Sequence, residues 1–428
     1  MFQIILLCTF GALAIAGVLI FSLALGGGKS NTTGPVVIWG TLDKNTFAQS
    51  IQQLADGNPD FLQVSYEQKD PDTYIAELTN ALASGQGPDL VLLSDEYAYS
   101  QSTRVTPIPY TSFSREQFGS VFADAGSPFL GIDGVIAIPF VIDPMVIYWN
   151  RDLLNSAGFA KEPLYWDELY GMAKTITKRT DTGSITRATI PFGQYKNYTN
   201  AKSILAMLMM QAGGTVTARN AEGDLISALG SPAGDASQAS TAALRFYTEF
   251  ADPSKEDYSW NGSLPNAREA FAAGTLAIYA GYASEKAMIT RMNPNLSFSV
   301  APMTQIRSSP KSVTAGRVYG LAIPRTSKNQ SGAITVAYLL VGKDINTVFS
   351  KALGLPSARR DLLGEKAEGD LVLFNKQALI VRTWIDPDPD RTGQVFRGMI
   401  EDSVSGAILL PDAVQRADRQ MSSIIGGQ

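Results

Sequence analysis

The sequence predicts an α/β protein with two domains, built on mostly parallel β-sheet covered by helices. Its 428 residues are too many for one hydrophobic core of ordinary size. Apolar residues make up 45% of the chain, which is typical of a globular protein. Strand-like and helix-like patterns alternate over the first quarter of the chain, and this alternation favours parallel strands joined by helices.

The alternation begins at residues 35–43, PVVIWGTLD, where a short apolar run ends at a glycine, as a buried strand does. Phe47, Ile51 and Leu54 then recur on one face of a helix. The second strand is predicted in FLQVSYEQ, the second helix after Asp72 and the third strand in PDLVLLSDEYA. The order is therefore strand, helix, strand, helix, strand.

Candidate binding residues follow two of these strands. Trp39 lies at the end of the first strand, and Asp95 and Glu96 follow the third. In parallel sheets covered by helices, ligands bind outside the carboxyl ends of the strands. We therefore expect a site here, against the alternatives that Trp39 is a core residue and that the two carboxylates form a solvated turn.

Residues 134–154, GVIAIPFVIDPMVIYWNRDLL, form two apolar strand-like runs with Asp143 between them. An unpaired carboxylate would be costly to bury in such a context. Asp143 is therefore interpreted either as a cap or turn residue beside Pro144, or as a hydrogen-bond acceptor for a ligand. Asn150 can cap the helix that follows.

The rest of the chain continues the mixed pattern. Helices are predicted over residues 166–176 and in SILAMLMMQAGG and NAREAFAAG, and strands in LAIY, FSVAPM and YGLAIP. Residues 215–237 form a polar, glycine-rich region. The chain after Asp344 is helical, with a loop at residues 386–390.

The N-terminal residues 1–25 predict an uncleaved membrane anchor. Residues 2–25 are almost continuously apolar and long enough to cross a bilayer as a helix, and no Lys or Arg precedes them. The alternative is a cleaved signal peptide, because Ala24 and Gly26 have the small-residue spacing of a cleavage site. The glycine-rich residues 26–35 predict a flexible linker.

The composition excludes several kinds of chemistry. The chain contains no histidine, so it has neither a histidine-dependent triad nor an HExxH zinc site. Its single cysteine, Cys8, lies in the apolar N-terminal run, which excludes a disulfide and a thiolate zinc cluster. Both charge signs are interspersed without a basic block, so nucleic acid is not an expected partner. We expect no cofactor and no metal.

Several segments, in order, resemble the extracellular solute-binding proteins of bacterial ABC transporters, in the group of sugar and oligosaccharide binders. They are VVIWGTLD, YIAELTNALASGQGPDLVLLSDEY, GVIAIPFVIDPMVIYWNRDLLNSAGF, AREAFAAGTLAIYAGYASE, FSVAPM and VYGLAIPRTSKNQSGA. The resemblance covers nearly all of residues 36–428. It departs from the family where a Trp-Gly pair often precedes LAIP, since Tyr319 here replaces the tryptophan.

The resemblance implies a periplasmic-binding-protein-like fold, with a ligand cleft between two α/β lobes. The chain would cross between the lobes near residues 139–143, 280–284 and 341–344. The first lobe would comprise residues 36–142 and 283–343, and the second residues 143–282 and 344–428.

The resemblance also implies a function. The protein would bind a small solute, preferably a sugar or oligosaccharide, and pass it to ABC permease subunits without catalysis. We expect a monomer at the outer face of the cytoplasmic membrane, anchored through its N-terminal helix, or secreted if that segment is cleaved.

Aromatic rings pack on the apolar faces of sugars, and carboxylates accept hydrogen bonds from their hydroxyls. Asp143 and Tyr282 are chosen because they lie at predicted crossings, and Trp260 because a large aromatic in a polar loop requires a reason. The complete set of predicted ligand-binding residues is Trp39, Asp95, Glu96, Asp143, Trp260, Tyr282, Tyr319 and Trp384.

Two other functions stay open on the sequence. A glycoside hydrolase would use two of Asp95, Glu96 and Asp143 as its carboxylate pair, although nothing in the sequence sets their separation. A membrane-tethered receptor or adhesin would keep the binding fold without a transport partner.

Overall fold

The computed structural model describes residues 33–230 and 236–427. Its strands are β1 (Val36–Gly40), β2 (Val64–Gln68), β3 (Leu90–Ser94), β4 (Ile108–Pro109), β5 (Gly134–Val135), β6 (Ile138–Asn150), β7 (Lys178–Arg179), β8 (Ile185–Arg187), β9 (Thr217–Arg219), β10 (Leu225–Ser227), β11 (Ile278–Tyr282), β12 (Phe298–Ala301) and β13 (Gly316–Ala322).

The helices alternate with these strands along the chain and form its C-terminal part. They are α1 (Lys44–Ala55), α2 (Tyr74–Ala83), α3 (Arg115–Val121), α4 (Arg151–Ser156), α5 (Glu168–Ile176), α6 (Ala201–Gln211), α7 (Ala236–Glu249), α8 (Ala267–Ala272), α9 (Glu285–Met292), α10 (Gln330–Leu340), α11 (Lys343–Leu353), α12 (Arg360–Leu363), α13 (Leu371–Leu379), α14 (Pro389–Val404) and α15 (Leu410–Gly426). Short 3-10 helices occur at Pro59–Phe61, Asp95–Tyr97, Ser102–Arg104 and Asp124–Phe129.

Local sequence accounts for many of these boundaries. The Asp43 side chain accepts a hydrogen bond from the Thr46 N–H and caps α1, whose buried face carries Phe47 and Ile51. Asn150 caps α4 as predicted, because its side chain accepts from two backbone N–H groups of the first turn.

The main sheet has the strand order β11-β6-β13-β3-β1-β2, and β12 also pairs with β6. Strand β1 is parallel to β2 and β3, whereas β13 runs antiparallel to β3 and β6. The parallel part agrees with the predicted strand and helix alternation. Because β1 and β3 run in the same direction, their carboxyl ends meet at one edge of the sheet.

Strand β6 connects the two halves of the molecule. Its first half pairs with β13, from Ile138 to Pro144, and its second half pairs with β11 and β12. We call the half built on β1, β2, β3 and β13 the first lobe, and the half built on β11 and β12 the second lobe. The two strand-like runs predicted on either side of Asp143 form one strand that passes through this residue, so Asp143 is not a turn residue.

The chain after Asp344 does not move to the second lobe where the sequence suggested. The Phe349 ring of α11 lies 4.7 Å from that of Phe47 and 5.4 Å from that of Phe140, both in the first lobe. Helices α14 and α15 instead contact α7 of the second lobe. The expected crossing at residues 341–344 is therefore a turn between α10 and α11, and the chain reaches the second lobe only after α13.

Two further predictions concern irregular regions. The polar region of residues 215–237 contains the β9–β10 hairpin, which sequence analysis missed, and residues 231–235 are outside the described part. The end of the predicted linker contacts the body, since Asn329 Nδ2 donates to the carbonyl oxygens of Thr33 and Pro35.

The predicted membrane anchor lies outside the described residues. Among the helices within residues 33–230 and 236–427, none combines the length and apolar character that crossing a bilayer requires.

Candidate ligand cleft between the lobes

A small cavity lies between the first and second lobes, with a volume of about 50 Å³. The first lobe contributes the segment after β3 and the start of β13, and the second lobe contributes α6 and the end of β11. Three acids and three bases line the cavity: Asp95, Glu96, Asp386, Lys202, Arg317 and Arg382. Ser203, Met210, Tyr282, Thr383 and Trp384 supply further polar and apolar contacts.

Asp95 begins the 3-10 helix after β3 and is only 6% exposed. Its Oδ1 accepts a hydrogen bond from the Val318 N–H at 2.8 Å, which ties the strand end to β13. Burial raises the pKa of Asp95 to about 8; Glu96 also raises it, whereas the Val318 hydrogen bond and Arg317 act in the opposite direction. Asp95 is therefore mostly protonated and neutral at pH 7.

Arg317 extends from β13 across the boundary between the lobes. The centre of its guanidinium group lies 4.1 Å from the Tyr282 ring centroid, and its Nε lies 3.8 Å from Glu96 Oε1. This Nε is buried and has no hydrogen-bond acceptor among the described residues. A guanidinium group stacked through its flat face keeps its N–H donors at the edge, where an anion can accept from them.

Lys202, from α6, supplies positive charge from the second lobe. Its Nζ lies 2.5 Å from Asp386 Oδ2 and donates to Thr392 Oγ1 at 2.7 Å. Burial raises the pKa of Asp386, and Lys202 lowers it. The Trp384 ring, whose centroid is 5.4 Å from the same Nζ, stacks on Phe396. The ion pair and the stacked ring together form one wall of the cavity.

Hydrogen bonds hold both the side chain and the backbone of Tyr282. Its hydroxyl lies 2.8 Å from Ser203 Oγ, and its carbonyl oxygen accepts a hydrogen bond from the Tyr148 hydroxyl at 2.7 Å. The ring therefore has a fixed position beneath Arg317. A rigid aromatic ring beside hydroxyl and charged groups is suited to recognising a ligand with both apolar and polar faces.

Asp143 stands opposite Arg317 in the β6–β13 register, but it is not among the residues that line the cavity. It is 1% exposed, and its two oxygens accept hydrogen bonds from the Ser284 N–H at 3.0 Å and the Ser284 hydroxyl at 2.6 Å. Burial raises the pKa of Asp143 to about 6, and the Ser284 bonds lower it. Asp143 thus connects the crossing strand to the start of α9, and this placement gives no support to a ligand contact.

The sequence pattern of the family described as "Bacterial extracellular solute-binding protein" matches residues 47–368. The chain belongs to this family. The predicted resemblance is thereby confirmed, and the family places the solute-binding protein outside the cytoplasm. No curated protein matches the sequence.

Solved structures confirm the two-lobed periplasmic-binding-protein-like fold. An ABC transporter solute-binding protein from Thermotoga lettingae, bound to α-D-tagatose, is 20% identical with a TM-score of 0.69, over 92% of this chain and 100% of that one. The cyclic α-maltosyl-1,6-maltose binding protein of Arthrobacter globiformis is 17% identical with a TM-score of 0.73, over the same shares. The GacH receptor of Streptomyces glaucescens, solved without ligand and with acarbose, is 16% identical with a TM-score of 0.72, over 92% and 98%.

The cleft of this solute-binding protein brings together four of the predicted residues. Asp95 and Glu96 come from the first lobe, Tyr282 from the end of β11 and Trp384 from the segment before α14. These residues are separated by up to about three hundred positions in sequence, so their meeting is a property of the fold.

The other predicted aromatics lie elsewhere. Trp260 is 1% exposed, and its Nε1 donates to Asn197 Oδ1 at 3.0 Å, so its ring is part of the second-lobe core and presents no face to a ligand. Trp39 is half-buried beneath Lys69, whose Nζ lies 3.6 Å from the ring centroid. Tyr319 pairs with Ser94 and Val141 in the sheet and does not line the cavity.

Sequence analysis missed Lys202, Arg317, Arg382 and Asp386. Lys202 lies in an otherwise apolar helix, and this isolated charge was an available signal. The sequences on either side of Arg317 and Arg382 contain no pattern that distinguishes these arginines from solvated surface residues.

A second cavity of about 250 Å³ lies on the other side of the segment that follows Trp384. Tyr99 and Leu130 of the first lobe face Ile385 and Arg219 of the second. Because Ile385 directly follows Trp384, the two cavities flank one short piece of chain. Within residues 33–230 and 236–427, no group of three His, Cys, Asp or Glu side chains is arranged to hold a metal ion.

Proposed function

We propose that this solute-binding protein captures a sugar or oligosaccharide between its lobes and delivers it to an ABC permease. The observation that carries the proposal is the cavity itself, where Trp384 and Tyr282 lie beside hydroxyl and charged groups from both lobes. Sugars require this combination, because each ring has apolar faces and a rim of hydroxyls. The similar solved proteins, which bind tagatose, a cyclic maltosyl-maltose and acarbose, favour the same ligand class.

Ligand entry requires the lobes to separate. The cavity of about 50 Å³ is far smaller than the roughly 300–1,000 Å³ of typical ligand pockets. We infer that the described conformation is closed at this cavity and that the lobes open by a hinge motion about the strands that join them. Strand β6 and the end of β11 are the natural hinge positions, because both belong to the boundary between the lobes.

The N-terminal residues complete the proposal. Residues 1–25 would anchor the protein at the outer face of the cytoplasmic membrane, and the glycine-rich residues that follow would tether a monomeric body near its permease. A tether raises the effective concentration of the binding protein at the permease. Asn329 holds Thr33 and Pro35, so this end of the tether would be fixed to the body.

The test is sugar binding by the full chain in a zwitterionic detergent without a sugar headgroup, first on a glycan array and then by calorimetry. Replacing Trp384 with Ala should weaken binding about three- to tenfold, because the stacked ring is lost. Trp149→Phe, outside the cavity, is the control and should leave the affinity unchanged. Small-angle scattering should show a smaller radius of gyration when sugar is added. Failure of every sugar to bind would overturn the proposed function.

A further inference from the structure

The charges around the cleft are unevenly matched. Lys202 and Asp386 form a close ion pair at 2.5 Å, so their opposite charges cancel. Glu96 lies 3.8 Å from Arg317, which is beyond hydrogen-bonding distance, and Asp143, opposite Arg317 in the β6–β13 register, accepts its hydrogen bonds from Ser284. Burial keeps Asp95 largely protonated at pH 7, so its carboxyl group adds little negative charge.

Arg382 adds a further positive charge to the same cavity. Its Nη1 donates to the Val381 carbonyl oxygen at 2.9 Å, and its Nη2 lies 3.7 Å from Asp124 Oδ2. The segment that carries Arg382 runs beside the start of β13, because the Arg382 N–H donates to the Thr314 carbonyl oxygen at 2.9 Å. The two arginines therefore enter the cavity from adjacent pieces of chain. Besides the paired Lys202 and Asp386, the residues that line the cavity thus include two arginines.

The geometry of Arg317 is that of a prepared anion site. Its guanidinium carbon lies over the Tyr282 ring, and this ring is itself held by Ser203. Its Nε is buried without an acceptor among the described residues, which is a costly arrangement for a donor that no ligand ever satisfies. A carboxylate matches the guanidinium edge because two parallel N–H groups meet its two oxygens.

We propose that the cleft selects an anionic sugar, whose carboxylate binds the edge of Arg317 while Arg382 adds positive charge beside it. This inference rests on the proposed sugar-binding function and narrows it to acidic sugars of the uronate type. The sugar ring would pack against Trp384, leaving its acid group at the β13 side of the cleft.

The experiment compares matched acidic and neutral sugars by calorimetry on the full chain, in the same detergent. The pairs are glucuronate with glucose, galacturonate with galactose, and trigalacturonate with galactotriose; glucose 6-phosphate tests a phosphate in place of the carboxylate. The acidic member of at least one pair should bind tenfold or more tightly than its neutral partner, and this preference should shrink as salt screens the charges.

Two Arg317 variants test the residue itself. Arg317→Met should weaken binding of the acidic sugar about ten- to a hundredfold, the range expected for lost charge-assisted hydrogen bonds, while the neutral partner changes by less than about threefold. Arg317→Lys keeps the charge but not the planar fork, so its affinity should lie between the two. Urea unfolding of each variant checks that the fold is retained.

Arg307→Met is the matched control. Arg307 also stacks on a tyrosine, with its guanidinium centre 4.0 Å from the Tyr165 ring centroid, but it lies outside the cleft and pairs with Asp167. Its loss should leave every sugar affinity unchanged.

The outcomes separate the inference from the proposed function. Equal binding of acidic and neutral sugars, or an equal loss of both in Arg317→Met, would overturn the acidic selectivity and leave sugar binding intact. Tighter binding of glucose 6-phosphate than of glucuronate would replace the carboxylate with a phosphate and overturn the uronate assignment. If no sugar of either kind binds, the proposed function itself fails.

Discussion

Replacing Asp95 with Asn should make the protein more stable at neutral pH and should change how its stability depends on pH. The carboxyl group of Asp95 is 6% exposed, and burial raises its pKa from 3.8 to about 8. An acid whose pKa is higher in the folded state binds its proton more tightly there. Below pH 3.8 both states are protonated, and between the two pKa values only the unfolded state ionises. Asp95 therefore costs stability progressively as the pH rises from about 4 to about 8.

The size of the change in the free energy of unfolding follows from the pKa shift of Asp95. Each pH unit between the two pKa values costs about 1.4 kcal/mol, so the loss at pH 7 is up to about 4 kcal/mol. Asparagine keeps the oxygen that accepts from the Val318 N–H and cannot ionise. The free energy of unfolding of Asp95→Asn minus that of the parent should therefore be near zero at pH 4, rise with pH and level off above pH 8.

Urea unfolding at pH 4, 5, 6, 7, 8 and 9, without ligand, measures this difference directly. Other titrating groups contribute equally to both proteins and cancel in the difference. Asp72→Asn, at an exposed position that does not line the cavity, is the control for replacing a surface carboxylate by an amide. A difference for Asp95→Asn that is flat over the whole range would refute the reasoning, because it would mean that Asp95 is ionised in the folded protein.

Three further results are expected. Asp143→Ala removes the acceptor of both Ser284 hydrogen bonds and should lower the free energy of unfolding by about 1–3 kcal/mol. Adding Ser284→Ala in a double-mutant cycle should lower it little further. Unchanged stability of Asp143→Ala with tenfold weaker sugar binding would instead indicate a ligand contact. Lys202→Met leaves the buried Asp386 carboxylate unpaired and should cost about 3–5 kcal/mol in urea unfolding, which Asp386→Leu in the same chain should largely restore. A sugar that the protein binds should be recovered intact by mass spectrometry after prolonged incubation, and steady product formation would favour a hydrolase.

The sequence predicts well what depends on neighbouring residues. Phe47, Ile51 and Leu54 recur at the spacing of successive helical turns, and α1 is found at these residues. Asp95 and Glu96 could be placed in the cleft because the end of a parallel strand is a local feature, and the direction of the strands determines which edge it joins.

What the sequence could not predict depends on partners that are distant along the chain. The Asp143 carboxylate looked free for a ligand because its partner, Ser284, is 141 residues away. Trp260 looked exposed for the same reason, since the Asn197 side chain that satisfies its indole N–H is 63 residues away. Arg317 reaches the cleft only because β13 inserts between β3 and β6. Local polarity does not encode such pairings.

The closed cleft indicates how affinity and specificity are linked in this solute-binding protein. The stack of Arg317 on Tyr282 joins β13 of the first lobe to β11 of the second, so opening the lobes must loosen it. A cation–π contact of this kind stabilises the closed form by about 0.5–2 kcal/mol. Because the ligand enters the open form, stabilising the closed form lowers the observed affinity in proportion to the fraction of molecules that are open. A ligand that uses only the free edge of Arg317 allows the Arg317–Tyr282 contact to form again when the lobes close, so the stabilisation lost on opening is recovered. A ligand that must displace Tyr282 from Arg317 loses this stabilisation. The same pair of residues can thus stabilise the closed form and favour the sugar whose acid group meets the guanidinium edge.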